Sequence, residues 1–399
     1  MLTTYRRVFA HRGAAAFSLT GLVARLPISM MTLGIVLLVS ALSGSYAVAG
    51  QVSAAYILGN AVVAIPQGRL ADRFGQRPVL LVDAVVFALS TAMLVRSETA
   101  GWPMPWPHVW AVLTGVAMPQ VGSMVRARWT HLLADANDRQ TAFSVEAVVD
   151  EAVFVAGPAL VTFLSTLADP QSGLLAALAF GTVGPVVLAL QTRTEPPANP
   201  HGQDRIVAAM PWRSLLPMTL GAASLGALFG AMEVATVAFA ADTGHKPLSG
   251  LTLAAMSFGS LLAGLLTGAR TWRTPLVTRF RAGTVLLAAG FIALPFLDTL
   301  WTLTPLMFLA GFAIAPTLIA CIALLEEVAP RSRLTEAMAF LQTGISAGIA
   351  PGAWYAGVVA DRSGGATAFW VCVGAGALAA LAALATPGSA RPARVPFAP

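Results

Sequence analysis

The segment GRLADRFGQRPVL, residues 68–80, joins two long apolar runs in a chain of 399 residues. The runs, about 45–67 and 78–96, are each roughly 20 residues long, which is enough for a helix to cross a hydrocarbon core of about 30 Å. The charged residues of the segment are Arg69, Asp72, Arg73 and Arg77. The sequence therefore predicts two membrane-spanning helices joined by a short charged turn.

The composition of the whole chain is that of a membrane protein. Hydrophobic residues make up 57% and charged residues 11%, with a mean hydropathy of +0.75, whereas soluble domains carry about 25% charged residues. We predict an all-α membrane protein whose twelve transmembrane helices form two pseudo-symmetric six-helix bundles. The predicted spans are about 14–39, 45–67, 78–96, 107–125, 141–165, 173–192, 214–240, 249–269, 281–298, 302–325, 338–360 and 366–386.

The basic residues support this span list and fix its orientation. Of the 24 Lys and Arg residues, Arg25 falls inside the first helix and Arg96, Lys246 and Arg362 fall in connections on one side. All the others lie on the side of the two termini, and basic connections face the cytoplasm. We therefore expect a multi-pass protein of a bacterial cytoplasmic membrane, with both termini in the cytoplasm.

The chain also divides into two related halves. We predict a six-helix bundle over residues 1–192, a polar cytoplasmic linker over 193–213, and a second bundle with a short cytoplasmic tail over 214–399. Helix four contains GVAMP at 115–119, and helix ten contains the similar GFAIAP at 311–316. Duplicated units of this kind are typical of secondary transporters, which hold substrate between the repeats.

The charged turn after helix two resembles the signature loop of the major facilitator superfamily, G-x-L-a-D-r-x-G-r-k-x-x-l. Gln76 departs from the pattern at a position that is usually basic. The resemblance implies that the loop stabilises the outward-facing state of an alternating-access transporter, although charges that only set the topology are the alternative. The matching residues are Gly68, Asp72, Arg73, Gly75 and Arg77.

Two further family features bear on the direction of transport. The drug-exporting branch has a glycine-rich motif ending in Gly-Pro in helix five, and Gly157-Pro158 resembles that end, although Val149 and Val153 replace earlier glycines. The same branch often has an Arg within helix four, but here the first is Arg126, at the predicted cytoplasmic end. The resemblance therefore favours export only weakly.

Arg25 lies near the middle of predicted helix one. Ser18, Arg25, Ser29 and Thr32 follow helical spacing and form one polar stripe. An ionisable group at that depth costs at least about 2.5–3.5 kcal/mol, so it usually has a partner or a task. Arg25 is a candidate for substrate binding or for the counter-charge of a proton-carrying carboxylate, and a structural ion pair is the alternative.

Four membrane carboxylates are candidates for proton coupling. Glu233 lies in the outer half of helix seven, where snorkelling to the interface is the alternative. Glu146, Asp150 and Glu151 lie in helix five, and Glu146 and Asp150 share one face. Neighbouring carboxylates repel unless a cation lies between them. These groups either take protons from the cavity or pair with Arg126, Arg128 or the signature loop as a gate.

Three uncharged polar residues are candidates for the cavity wall, namely Asn60, Gln120 and Gln342. Each could bind substrate, and hydrogen bonding between helices is the alternative for each.

Several classes of function are disfavoured. The sequence has no phosphate-binding loop ending in Lys-Ser/Thr, no histidine at metal-ligand spacing and no catalytic constellation. We therefore predict no enzyme activity, no cofactor, no metal and no nucleic-acid partner. The predicted function is proton-coupled export of small amphipathic or drug-like molecules by a monomer in the lipid bilayer. A proton-coupled importer of a metabolite, and a receptor or lipid-binding scaffold, are the alternatives.

Overall fold

The computed structural model describes residues 7–198, 210–269, 273–329 and 334–387, which contain helices and turns but no strand. The first six membrane segments are each helical, and the fourth consists of two short helices. They are α1 (Ala14–Ser43), α2 (Tyr46–Phe74), α3 (Gln76–Thr99), α4a (Trp106–Val116), α4b (Val121–Leu132), α5 (Ala136–Leu167) and α6 (Ser172–Leu190).

The second six segments repeat this arrangement. They are α7 (Trp212–Asp242), α8 (Ser249–Ala269), α9 (Leu276–Ile292), α10a (Leu300–Gly311), α10b (Ile314–Val328), α11 (Leu334–Ser363) and α12 (Gly365–Ala385). The prediction of an all-α membrane protein is therefore confirmed. Most of the predicted linker, residues 199–209, and the tail, 388–399, lie outside the described residues, so the division into domains stays a prediction.

Ten stretches of the described chain are long and apolar enough to cross a membrane. The two remaining predicted segments have identifiable reasons to fall short. The segment 106–132 is divided at Ala117–Gln120 into two helices of 11 and 12 residues. The 30-residue α11 is long enough, but glycines and Gln342 dilute its apolar side chains.

The breaks in the fourth and tenth segments fall at corresponding places in the two halves. Pro119 lies in the first break, where its ring and missing N–H oppose a continuous helix. Pro316 is the third residue of α10b, a position where a helix leaves the backbone N–H without a partner in any case. Paired discontinuous helices are a feature of transporter folds, where they border the transport pathway.

The predicted ends of helices two and four are each wrong by about two turns. Helix two continues through Gly68 to Phe74, so the signature segment is mostly helical rather than a turn. The change of direction occurs at Gly75, whose φ of 91° favours glycine. Helix four continues beyond 125 to Leu132. Charged residues hid both ends, because a helix that leaves the membrane need not stay apolar.

Close contact between helix backbones holds the second half together. α7 packs against α11 and α12. A Cβ on Gly348 would overlap the carbonyl oxygen of Ala223, and one on Gly226 would overlap that of Ile345. Small residues at such sites let membrane helices approach closely. Two further contacts, α2 with α11 and α5 with α8, join the first six segments to the last six.

This packing predicts that Gly348→Ala is destabilising, because the new methyl group overlaps the backbone of α7. Overpacking of this kind costs about 1–3 kcal/mol. Thermal unfolding of the detergent-purified protein measures the effect. Gly374→Ala is the matched control, since a Cβ there meets nothing within 4 Å. Equal melting temperatures for the two variants would show that the α7–α11 packing is looser than described.

Candidate functional site

Arg25 joins two carboxylates of α5 inside the membrane region. Its side chain is 3% exposed. One terminal nitrogen donates to Glu146 Oε2, and the other, Nη1, donates to Asp150 Oδ1 at 2.9 Å. The polar stripe of α1 therefore faces α5, and Arg25 is the cation that keeps the two neighbouring carboxylates together.

Arg126 completes the group, which we call the four-charge cluster (Arg25, Arg126, Glu146 and Asp150). Its Nη2 donates to Asp150 Oδ2 at 2.5 Å. Arg126 lies in the second turn of α4b, so its predicted place at the helix end was wrong, and helix four does contain an Arg. The exposed fractions of the Arg126 and Asp150 side chains are 38% and 33%. The side of the cluster formed by Arg126 and Asp150 is therefore accessible from the surface of the protein.

Glu146 lies on the closed side of the cluster and is fully buried. Its Oε1 accepts hydrogen bonds from Ser18 Oγ and Trp129 Nε1, both at 2.8 Å. With Arg25, three donors surround this carboxylate. Asp150 has only its two arginines among the described residues.

Trp129 was not identified as a site residue from the sequence. The indole is completely buried and is packed edge-on by Phe17, with ring centroids 4.6 Å apart, and by Phe9 at 5.7 Å. Trp129 follows Arg126 by three residues, so both lie on one face of α4b. The shared face of Arg126 and Trp129 could not be predicted, because helix four was predicted to end before Arg126.

The remaining membrane carboxylates lie apart from the cluster. Glu151, next to Asp150 in the chain, is half-buried, and the described residues form no ion pair with it. Glu233 is half-buried in α7, close enough to interact electrostatically with the buried Tyr56 of α2. No described cation pairs with Glu233. The structure therefore separates Glu233 from the cluster.

The hydrogen bonds of the signature segment are made to residues of the first half of the chain. Gln76, the residue that departs from the family pattern, accepts from Arg128 Nε at 2.8 Å. The fully buried Arg128 also donates to the carbonyl oxygens of Leu188 and Gln191, at 3.0 and 2.7 Å. Arg128 therefore does not pair with Glu146 or Asp150.

The charged residues of the segment that match the family signature have no ionic partner in the described chain. The side chains of Asp72, Arg73 and Arg77 form no ion pair there, and Arg73 lies 5.2 Å from the ring centre of Phe74. The backbone N–H of Arg77 donates to Glu195 Oε1 at 2.8 Å. Glu195, which the sequence did not single out, therefore caps the start of α3.

Gly157 and Pro158 lie where α5 meets both α1 and α8. A Cβ on Gly157 would overlap Ser29 Oγ, and one on Gly250 would overlap the carbonyl oxygen of Pro158. Ser29 Oγ donates to the carbonyl oxygen of Val153 at 2.8 Å. This bond supports the helix one turn before the proline, which cannot donate an N–H of its own.

The cavity candidates have different surroundings. Asn60 Nδ2 donates to the carbonyl oxygen of Gly115 at 3.3 Å, so it stabilises the break between α4a and α4b. Gln67 supports the same break, because its Oε1 accepts from the backbone N–H of Gln120 at 2.8 Å. The side chain of Gln342 is exposed. Asn60 thus connects helices, while Gln342 is free to contact a ligand or lipid.

The arrangement of helices around buried charges defines a polytopic membrane transporter. The family model described as Major Facilitator Superfamily matches residues 17–280 and, in a second match, 234–398. The chain belongs to the major facilitator superfamily. It is therefore a multi-pass secondary transporter that works by alternating access, and it is not an enzyme.

Solved structures agree with this fold. A nucleoside transporter, NupG (D323A mutant), superposes with a TM-score of 0.74 at 14% identity, covering 94% of this chain and 99% of that one. A D-xylose–proton symporter gives 0.69 at 16%, covering 93% and 97%. The human organic anion transporter MFSD10 gives 0.65 at 16%, covering 93% and 99%. None of the curated proteins compared with the chain matches it.

The two carboxylates of the cluster should differ in their contribution to stability. Glu146→Gln leaves Arg25 with only Asp150 as a charged partner in a buried site, and breaking a buried pair costs about 3–5 kcal/mol. Asp150→Asn should cost less, because Arg126 and position 150 reach solvent. Thermal unfolding of the purified variants compares them.

A double replacement provides the control. Arg25→Met with Glu146→Leu removes the buried charges together and should recover most of the stability lost in Glu146→Gln. If Asp150→Asn is as destabilising as Glu146→Gln, the two carboxylates do not have separate roles.

Proposed function

We propose that the protein couples transport to proton movement and that Asp150 is the proton-exchanging carboxylate. The observation that carries this proposal is the position of Asp150, one-third exposed between Arg25 and Arg126. Glu146 is enclosed by three donors and lies out of reach of water. Asp150 can therefore gain or lose a proton, while Glu146 remains the fixed charge that holds Arg25.

Protonation of Asp150 would loosen one helix contact. The ion pair between Arg126 and Asp150 joins α4b to α5. A proton on Asp150 removes the charge that attracts Arg126, but Arg25 keeps its bond to Glu146 and continues to join α1 to α5. Protonation of Asp150 would thus change the attachment of α4b alone. In this way the protonation state of Asp150 could affect α4b, the helix that borders the pathway.

For the direction of transport, we propose export of small amphipathic or drug-like molecules in exchange for protons. Arg126 inside α4b and Gly157-Pro158 inside α5 agree with the resemblance to the drug-exporting branch. Glu233 has no cation beside it in the described chain, so a cationic substrate could bind there while Asp150 exchanges the proton.

A proton-coupled importer of an anionic metabolite is the second candidate. The observation that favours it is that Arg25 Nε, though buried, has no hydrogen-bond partner among the residues that the structure describes. Protonation of Asp150 would also free Arg126, so a proton and an anionic group would bind together. That order of binding produces symport. A receptor or scaffold without transport is the third reading and predicts no flux.

The topology proposals follow from the basic connections. We propose a monomer in the cytoplasmic membrane with both termini inside the cell. In this orientation the signature segment faces the cytoplasm, and its unpaired charges fit a state that is open on that side. Asp72, Arg73 and Arg77 would find partners in the other half when the transporter opens outward.

Asp150→Asn should abolish proton coupling while it leaves substrate exchange intact, because only the proton site is lost. Inverted membrane vesicles with an imposed proton gradient receive cationic, neutral and anionic fluorescent amphiphiles, and protein-dependent gradient collapse is followed. Exchange of a responsive amphiphile without a gradient tests the remaining activity. Protein-dependent collapse of the gradient is expected to be lost in Asp150→Asn.

Glu151→Gln is the matched control, because this neighbour lies outside the four-charge cluster. It should retain gradient collapse. Full collapse by Asp150→Asn would remove Asp150 from the mechanism, and loss only in Glu151→Gln would assign the proton to Glu151. Collapse by anions alone would show export of anions. Silence with every compound would contradict a broad-specificity exporter and would favour the importer, whose substrate and proton leave the lumen of an inverted vesicle together.

A further inference from the structure

The two halves of the protein meet closely at one end of the molecule, which we call the capped end. It carries the connection between α1 and α2, the connection between α7 and α8, and the end of α11. A Cβ on Gly50 would lie 2.7 Å from the carbonyl oxygen of Ala353, and one on Gly357 would overlap the backbone of Tyr46. The seam between α2 and α11 is therefore closed at this end.

Asp361, in the last turn of α11, binds the start of α2 across this seam. Its Oδ1 accepts from the backbone N–H of Tyr46 at 2.7 Å. Its Oδ2 accepts from the backbone N–H of Ala47 at 2.9 Å and from Ser45 Oγ at 2.6 Å. One carboxylate of the second half thus receives three hydrogen bonds from the first half.

The position of these bonds gives them strength. The first N–H groups of a helix lack partners within the helix, and the helix dipole places partial positive charge there. Ser45 caps the same helix, accepting from Val48 N at 3.2 Å. Asp361 satisfies the two N–H groups that Ser45 leaves free, so α2 has a complete cap only while α11 lies against it.

Among the described residues, no carboxylate bridges the other seam in this way. Where α5 meets α8, a Cβ on Gly250 would overlap the carbonyl oxygen of Pro158 and lie against Thr162. Elsewhere at the capped end, Lys246 Nζ donates to Ser40 Oγ at 3.4 Å, a long bond between the halves. Within the described ranges, Asp361 is the one carboxylate whose hydrogen bonds join the two halves.

We propose that Asp361 is a gate residue, which sets how often the capped end opens during transport. Opening this end separates α2 from α11 and removes three hydrogen bonds to a charged group at once. The first turn of α2 then exposes its N–H groups to water. The stronger the three hydrogen bonds to Asp361 are, the more the closed state is favoured. This role needs neither the proposed proton site nor a particular substrate, only the alternating access of the family.

Asp361→Ala should shift the balance between closed and open states toward the open state, by about tenfold if the cap is as strong as other charged helix caps. The measurement is the distance distribution between spin labels at Thr99→Cys and Asp298→Cys, in a chain carrying Cys321→Ala and Cys372→Ala, reconstituted in lipid without substrate. Both label sites are exposed, and they lie at the same end, since Thr99 is the last residue of α3 and Asp298 follows α9.

Two further variants separate the gate from a general loss of structure. Asp361→Glu keeps the charge and should recover most of the closed population. Asp169→Asn changes an exposed carboxylate at the matching end of α5 and should leave the distances unchanged. Asp361 is itself exposed, so its truncation should not prevent folding, and purified Asp361→Ala should give a single monodisperse species.

An unchanged distance distribution in Asp361→Ala would overturn the proposal, and so would an equal shift in Asp169→Asn. A shift in Asp361→Ala that Asp361→Glu reverses supports it. These outcomes do not depend on proton coupling, because gradient collapse in Asp150→Asn tests that part of the account separately.

Discussion

The requirement that a charge in the membrane be paired organises the first half of this transporter. Arg25 would be costly at its depth in α1 without the carboxylates of α5. Its pairing with Glu146 and Asp150 fixes the rotation of α1 and α5 about their axes and brings α4b to the same place through Arg126. A buried ion pair contributes little net stability, since desolvation offsets the attraction. We therefore interpret the four-charge cluster as a functional element that also specifies how these helices meet.

The contacts that hold each half rigid involve different residues from the contacts that could change during transport. Glycine contacts inside the second half, such as that of Gly348 with α7, and the buried Arg128 in the first half hold each half as a unit, because they leave little room to rearrange. Two polar contacts could change during transport, and both reach solvent. They are the ion pair of Asp150 with Arg126 and the cap of α2 by Asp361. We propose that the first contact responds to a proton and the second to the separation of the halves, so that proton binding and movement involve different residues.

Much of the fold could be predicted from the sequence, because a lipid-facing surface leaves long apolar runs and basic connections that are visible residue by residue. The candidate site was only partly predictable. Arg25, Glu146 and Asp150 stand out because charges are rare inside membrane helices. Their pairing cannot be predicted in the same way. It depends on the rotation of α1 and α5 about their axes, and these residues are more than a hundred positions apart in the sequence. Trp129, Glu195 and Asp361 were missed for a similar reason: each acts near a helix end, where polar residues are common and carry no signal.

The central claim is that Asp150, and not Glu146, exchanges the proton. Infrared difference spectroscopy of the purified protein between alkaline and acidic pH measures this directly, because a protonated carboxyl group has its own C=O stretching band. The account predicts that a band appears on acidification and that Asp150→Asn removes it. A band that persists unchanged in Asp150→Asn, and disappears in Glu146→Gln, Glu151→Gln or Glu233→Gln instead, would contradict it.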